Sequence, residues 1–254
     1  MATFRKEDAR APRGFFEAEA AGLRWLADAG GAQVAEVHGV GPGWIEIERV
    51  ERALPTADAA RRFGAALART HLAGAPSFGA SPDGWQGSLF IGSREMPHTT
   101  HDTWGEFYAH TRVLPFLDAA VHARHLMPSE RDIVRAACEV IEAGAFDDDE
   151  PPARIHGDLW AGNVLFSPAG VVLIDPAAHG GHRESDLAML ALFGAPYLDE
   201  ICSAYESAAP LHAGWRDRIP VHQLHPLAVH AAGHDRSYGV HLVQAAQATL
   251  ALAR

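Results

Sequence analysis

The stretch Arg154-Ile155-His156-Gly157-Asp158-Leu159-Trp160-Ala161-Gly162-Asn163-Val164-Leu165-Phe166, followed by Val171-Val172-Leu173-Ile174-Asp175-Pro176, decides how the rest of the chain is read. It sets one Asp after a short apolar lead-in, an Asn five residues later, and a second Asp at the end of an apolar run of strand type. Phosphoryl transfer needs that set: Asp158 to orient or deprotonate a hydroxyl, and Asn163 with Asp175 to hold magnesium against phosphate. An Asp-x-x-x-x-Asn alone carries little information. His156-Gly157 before it and the strand ending in Ile174-Asp175-Pro176 behind it make the pattern specific.

Outward from this stretch the chain is mostly helical. Downstream, Glu184 to Phe193 turns Leu187, Leu190 and Ala191 inward, and Tyr197 to Ala208, His222 to Gly233 and Tyr238 to Leu252 repeat apolar residues at three- and four-residue steps. Upstream, the acidic turn Asp147 to Glu150 with Pro151-Pro152 ends a helix over Ser129 to Ala143, and its charges are expected in solvent. Ser129 with Asp132 resembles a capping box there. Trp104, Phe107, Tyr108, Val113, Leu114 and Leu117 predict a helix from Asp102, bent near Pro115. Gly74 to His101 reads as a long loop whose Trp85 and Phe90 line a pocket or pin the loop down. Pro55 and Thr56 open a helix reaching Leu72.

The first fifty residues have a different pattern. A short strand over Ala2 to Lys6 precedes a helix over Phe15 to Ala29, stopped by Gly30-Gly31. Strand-type runs over Val34 to Val40 and Trp44 to Val50, joined by Gly41-Pro42-Gly43, predict a hairpin. A Lys on a strand and a Glu on the next helix form the ion pair that positions nucleotide phosphates in kinases, which makes Lys6 and Glu19 candidates; an exposed Lys and a solvated carboxylate are the alternative. Glu48, Arg49 and Val50, at the end of the second strand, would meet the adenine edge. The expected architecture is α+β and bilobal: residues 1–53 as a small β-sheet lobe that binds nucleotide, and residues 54–254 as a larger helical lobe carrying catalysis and substrate.

The chain's charge and cysteines narrow its partners. A net charge of -11 argues against nucleic acid and against an anionic membrane surface. Cys138 and Cys202 lie far apart with no Cys-x-x-Cys pair, and no apolar run reaches membrane-spanning length, so a cytoplasmic setting is expected. The sixteen histidines include pairs at helical spacing, but none sits in a His-Glu-x-x-His context that would add a general base.

His156-Gly157-Asp158-Leu159-Trp160-Ala161-Gly162-Asn163, Ile174-Asp175-Pro176-Ala177 and Gly181-His182-Arg183-Glu184-Ser185-Asp186-Leu187-Ala188-Met189 together resemble the fructosamine kinase (ketosamine 3-kinase) family, a branch of the aminoglycoside-phosphotransferase and choline-kinase group. The likeness extends to Gly14-Phe15-Phe16-Glu17-Ala18-Glu19 and to His222-Gln223-Leu224-His225-Pro226. It implies a protein-kinase-like fold and ATP- and Mg2+-dependent phosphorylation of the sugar of ketosamines, which makes these glycation adducts unstable. By the same resemblance Asp158 is the catalytic base, Asn163 and Asp175 hold magnesium, Lys6 and Glu19 position phosphate, and Asp186 braces the catalytic loop. Trp160 would stack on sugar or amine, or pack the loop, and His182, Glu184, Trp215 and His225 are further substrate-pocket candidates.

In one respect the chain departs from that family's pattern. The family begins with two strands and a phosphate-covering loop before its lysine strand, whereas Lys6 here follows only five residues. The small lobe is therefore expected to be shortened, with an exposed sheet edge that invites a homodimer. Two other functions share the same residues: a kinase of another small hydroxyl substrate, such as an aminoglycoside or amino alcohol, and a nucleotide-binding pseudokinase.

Overall fold

A computed structural model describes residues 2–254. It opens with strand β1 (Thr3–Glu7), helix α1 (Phe15–Asp28), the two-residue β2 (Gln33–Val34), and the hairpin β3 (Val37–Gly41) and β4 (Trp44–Glu48). The antiparallel sheet has the order β1-β4-β3, with Lys6 opposite Ile45. Alternation places Ile45 and Ile47 inward, where Phe16, Ala20 and Leu23 of α1 cover them. Gly14 caps α1 at a φ of 85°, a conformation that glycine adopts without penalty. On the outer edge β1 has no further partner among the described residues, and Phe4 stands 51% exposed.

The expected strand over Val34 to Val40 is divided in two. Gln33 and Val34 leave the small sheet and run parallel to Val172 and Leu173, and the Ala35 N–H donates to the Leu173 carbonyl at 2.9 Å. The strand carrying Asp175 is thereby tied to the chain just after α1. The extended connection that follows β4 is tied across as well, by the Ala53 N–H donating to the Phe166 carbonyl at 2.8 Å.

Helix α2 (Ala57–Leu72) starts at Thr56, whose hydroxyl accepts from the Ala59 N–H at 3.2 Å. The expected loop over Gly74 to His101 contains a hairpin, β5 (Leu89–Ile91) and β6 (Arg94–Met96), too short for alternation to reveal. Phe90 packs edge-to-face on Phe15 at 5.5 Å, pinning this hairpin to α1. Next comes α3 (Trp104–Phe107), and in place of a bend at Pro115 the chain forms a wide π-helical turn over Tyr108–Val113 before α4 (Leu114–His122). Pro115 has no N–H to continue an α-helical ladder, and the widened turn absorbs the loss. Helix α5 (Pro128–Glu142) is capped two residues before the expected cap, at Met127: Pro128 opens it, and the Glu130 carboxylate accepts from the Met127 N–H at 2.8 Å.

Beyond α5 lie β7 (Ala153–Ile155), β8 (Val164–Ser167), β9 (Gly170–Leu173) and β10 (His179–Gly181), then α6 (Arg183–Phe193), α7 (Leu198–Ala208), α8 (Ile219–Gly233) and α9 (Arg236–Leu252). One core joins α3, α4, α5, α8 and α9 around Phe107, Leu117, Val134, Leu227 and Leu242. A second joins α2, α6 and α7 to β8 and β9 around Phe63, Leu159, Leu187 and Tyr205. Each large apolar side chain buried there contributes roughly 1.5–3 kcal/mol. Gly64 lets α2 meet the backbone of α7, since a methyl group at that point would collide with the Ile201 carbonyl. No helix among the described residues is long and apolar enough to cross a membrane.

Candidate active site

β7 leads into a loop whose backbone is held from below. The Asp186 carboxylate, on the first turn of α6, accepts from the His156 N–H at 2.8 Å and the Gly157 N–H at 3.0 Å. His71 of α2 approaches the same carboxylate at 3.1 Å and is itself held by the Tyr205 hydroxyl at 2.8 Å. Burial opposes ionisation of Asp186, but the His71 contact and the backbone donors outweigh it and keep its pKa below the ordinary value. Gly157 has a φ of 78°, and a side chain there would strike the Ala177 carbonyl. His156 donates from Nε2 to the Ile174 carbonyl at 3.0 Å, which joins the loop to the end of β9.

Asp158, Asn163 and Asp175 meet above this brace. Asn163 donates from Nδ2 to the Asp158 carbonyl at 2.8 Å and to the Asp158 carboxylate at 3.2 Å. With its amide hydrogens engaged, its Oδ1 remains for a cation. Asp175 is one of three non-glycine residues at positive φ among the described residues, at 55°, a conformation that costs about 1–3 kcal/mol and persists where its surroundings enforce it. Its carboxylate contacts Lys6 Nζ, which also donates to Glu19 at 2.6 Å. Burial lowers the Lys6 pKa, and the two carboxylates more than reverse that. α1 can bring Glu19 this close because Gly22 passes Pro176 and Ala178 at 3.3 and 3.2 Å from where a Cβ would stand. Burial pushes the Asp158 carboxyl up to about 7; the Asn163 hydrogen bond opposes this, and the neighbouring Asp175 and Asp186 charges add to it.

Two spaces flank the Lys6–Asp175 pair. A wide cleft of 1570 Å³ is lined by Glu48, Arg49 and Val50 together with Lys6, Ile174 and Asp175. A recess of 330 Å³ on the other side is lined by Glu19, Phe90, Asp158, Trp160, Asn163 and Asp175. Trp160 folds over Gly162, packs edge-to-face on Phe193 at 6.1 Å, and still exposes 41% of its surface at this recess.

The other expected pocket residues divide. His182 and His225 line a narrow pocket behind Asp158. Glu184 is buried, and its carboxylate binds Arg218 at 3.0 Å and lies 3.3 Å from His222. Burial would raise its pKa, but His222 and Arg218 hold it at about 2. His182, Glu184 and His222 bring ligand atoms within 4.8 Å of one another, but Arg218 takes the carboxylate and Asp148 lies 3.4 Å from His182, so the cluster is a charge network rather than a free metal site. Trp215 is buried in the second core with Tyr205 and Leu187 and lines none of the pockets described above. The acidic turn is not simply solvated: Asp147 accepts from the Gly105 N–H at 2.8 Å, Asp148 meets His182, and Glu150 pairs with Arg183.

His71, Arg112, Asp148 and His179 escaped sequence reasoning. Each lies far along the chain from the residue it supports, and only a His or Arg inside an apolar helical run hints at the first two.

The sequence pattern described as "Fructosamine kinase" matches residues 2–252. A protein of Enterococcus faecium named "Probable ketoamine kinase" is 31% identical over 243 residues, covering 94% of this chain and 84% of that one. A namesake from Vibrio parahaemolyticus is 30% identical, covering 92% and 79%. Among solved structures, a protein of Thermobifida fusca provisionally named fructosamine-3-kinase superposes with a TM-score of 0.91 at 50% identity, over 98% of this chain and 85% of that one. An aminoglycoside phosphotransferase superposes with a TM-score of 0.58 at 17% identity over 99% and 86%, a likeness of fold. The architecture is the α+β, protein-kinase-like one.

Proposed function

The chain belongs to the fructosamine kinase family, ATP-dependent phosphotransferases with an alcohol acceptor, and from that premise we propose that its acceptor is a ketosamine, phosphorylated on the third carbon of the sugar. The observation that carries the proposal is the convergence of Asp158, Asn163 and Asp175 on one recess beside the exposed indole of Trp160. An indole face offers a sugar ring apolar contact and an amine a cation–π contact, and a ketosamine carries both groups.

In this reading Asp158 orients the acceptor hydroxyl and takes its proton late in the transfer, with a pKa raised towards neutrality as suits a general base. Lys6, steadied by Glu19, holds ATP phosphates at the cleft where Glu48, Arg49 and Val50 would meet the base. The donor set suits magnesium, since Asp175 and Asn163 present a carboxylate and an amide oxygen. When bound, the ion neutralises charge on the transferring phosphate and lowers the pKa of carboxyl groups beside it. A cytoplasmic site of action follows from the need for ATP. The β1 edge suits pairing with a second copy, and a monomer by light scattering at micromolar concentration would count against that.

An ATP-consumption assay over ribulosamines, fructosamines, aminoglycosides and choline tests the proposal. Turnover on the ketosamines, with free amine recovered as the phosphorylated adduct decays, is expected. Preferential turnover of an aminoglycoside or choline would reassign the substrate. No turnover at all and no thermal shift with Mg-ATP would leave a pseudokinase.

A further inference from the structure

Helix α1 carries Glu19 near its middle and is fastened at both ends by residues outside the small sheet. At its C-terminal end the Arg154 guanidinium donates to the Trp25 carbonyl at 2.5 Å and lies 4.4 Å from the Trp25 ring centre. At its N-terminal end two aromatic side chains of the 74–101 connection do the same. The Trp85 ring lies 3.7 Å from the place a Cβ on Gly14 would occupy, and Phe90 of β5 packs edge-to-face on Phe15 at 5.5 Å.

Strand alternation gives the β5–β6 hairpin two faces. Leu89 and Ile91 turn into the first core beside Met96 of β6, and Phe90 between them turns to α1. Gly92, at a φ of 53°, allows the two-residue turn, and Arg94 beyond it donates from Nη2 to the Ala232 carbonyl at 2.7 Å. That carbonyl is one of those left without a helical partner at the end of α8. One face of the hairpin is thus fixed to the helical lobe, and the other offers a ring to α1.

Phe15 and Glu19, four residues apart, share one face of α1, and both border the 330 Å³ recess together with Phe90. Glu19 accepts from Lys6 at 2.6 Å, and Lys6 also borders the wide cleft, which is lined by neither Phe15 nor Phe90. At 1.5 Å per residue Glu19 lies about 6 Å along the axis from Phe15 and about 9 Å from Trp25. Released at its N-terminal end, α1 would pivot about Trp25, and a 1 Å shift at Phe15 would carry Glu19 about 0.6 Å. A charged hydrogen bond is sensitive to a shift of that size. Lys6 without Glu19 keeps only Asp175, the carboxylate that magnesium needs. We propose that Phe90 is a positioning residue for the nucleotide site: the β5–β6 hairpin fixes the N-terminal end of α1 through Phe15, and so keeps Glu19 where it draws Lys6 onto the ATP phosphates. In taking Lys6 to hold those phosphates this rests on the proposed function, and it does not depend on which acceptor is used.

Titration calorimetry with magnesium and a non-hydrolysable ATP analogue, with no acceptor present, tests it. Phe90→Ala is expected to weaken nucleotide binding about 3–10-fold, the scale of one aromatic pair. In a Glu19→Gln background the same change should shift binding by less than about 1.5-fold, because the contact through which Phe90 acts is already cut. A Phe90 that only packs the recess would leave nucleotide affinity unchanged. One that loosens the small lobe as a whole would weaken it equally in both backgrounds. Either result overturns the proposal. If Phe90→Ala melts below the assay temperature, Phe90→Leu carries the same cycle with an expected loss of about 2–3-fold, since it keeps apolar bulk and gives up the edge-to-face geometry. No nucleotide binding by wild type overturns the inference together with the kinase reading. Nucleotide binding with the expected cycle but no turnover of any ketosamine breaks the substrate reading alone and leaves the inference standing.

Discussion

The loop carrying Asp158 and the outer sheet both carry charges of the candidate site, and they hold them by opposite means. Asp186 lies 1% exposed, with two backbone donors and His71 around it, and that histidine has its own partner in Tyr205. Lys6 lies on an edge strand, and its contacts are two carboxylates, one of them 43% exposed. A buried network is strong while every member is satisfied and costly when one is removed. An edge strand of five residues bends more readily, as a site that admits and releases nucleotide must. On the proposed roles, the chemistry stands on rigid ground and the nucleotide contact on softer ground.

Asp158→Asn gives the largest effect expected. It keeps the shape and the Asn163 contact but removes the proton acceptor, so turnover should fall about 10³- to 10⁴-fold while ATP affinity, read by titration calorimetry, stays within about threefold. Turnover equal to wild type would remove Asp158 from the reaction. Asp186→Ala comes next. It strips partners from His71 and from two backbone N–H groups at once, and unfolding in urea should show a loss of about 3–5 kcal/mol. A change under about 1 kcal/mol would mean that the loop does not depend on this carboxylate.

Acid should find the helical side before the sheet. Burial holds His222 at about 4 and His225 at about 3, and His156 and His179 below the ordinary value, all neutral in the folded protein. Around His222 lie Glu184, His182, Arg218 and Ser185. An unfolded chain takes up these protons near pH 6.5 and the folded one does not, so their stabilisation is complete above 6.5 and declines as pH falls towards 4. Asp158, raised to about 7, works the other way over the same range, so the measurement belongs in Asp158→Asn. There the thermal midpoint should be flat from pH 8 to 7 and drop on the order of 10 °C by pH 5. A midpoint that holds level would show the histidines to be less buried than the fold implies.

The sequence disclosed the two regions unequally. Asp158, Asn163 and Asp175 lie close along the chain, and a strand and a helical period flank them, so chemistry and local structure point the same way. The brace is only half legible, because Asp186 belongs to the recognisable stretch while His71 and Tyr205 come from helices whose periodicity says only that they face inward. Trp215 misled for the same reason, since an indole in an apolar environment carries no mark to separate core from pocket. The short hairpin at Leu89–Met96 and the π-helical turn at Tyr108–Val113 arise from docking on α1 and from Pro115, below what alternation or a 3.6-residue period resolves. The acidic turn shows the limit most clearly: four adjacent carboxyl positions look solvated until Gly105, His182 and Arg183 arrive from elsewhere in the chain.

Lys6→Met should have the smallest effect on the fold and a selective one on binding. Removing one charged contact to phosphate costs about 1.5–3 kcal/mol, which is roughly a 10- to 100-fold rise in KM for ATP. Stability should fall by less than in Asp186→Ala, on the order of 1–2 kcal/mol, because the Asp175 end is open to solvent and screened while only Glu19 is left buried without its partner. The pH dependence isolates the same contact. The folded pKa of Lys6 lies above 10.5, so its stabilisation is fully present below 10.5 and is lost as pH rises through the folded value. Wild type should therefore lose slightly more stability than Lys6→Met between pH 10 and 11.5, at the opposite end of the scale from the histidine network. Equal alkaline losses would mean that β1 does not hold Lys6 against Glu19 and Asp175 before nucleotide arrives. A large drop in stability at neutral pH would mean that the edge strand is as rigid as the catalytic loop, and the contrast between the two regions would fail.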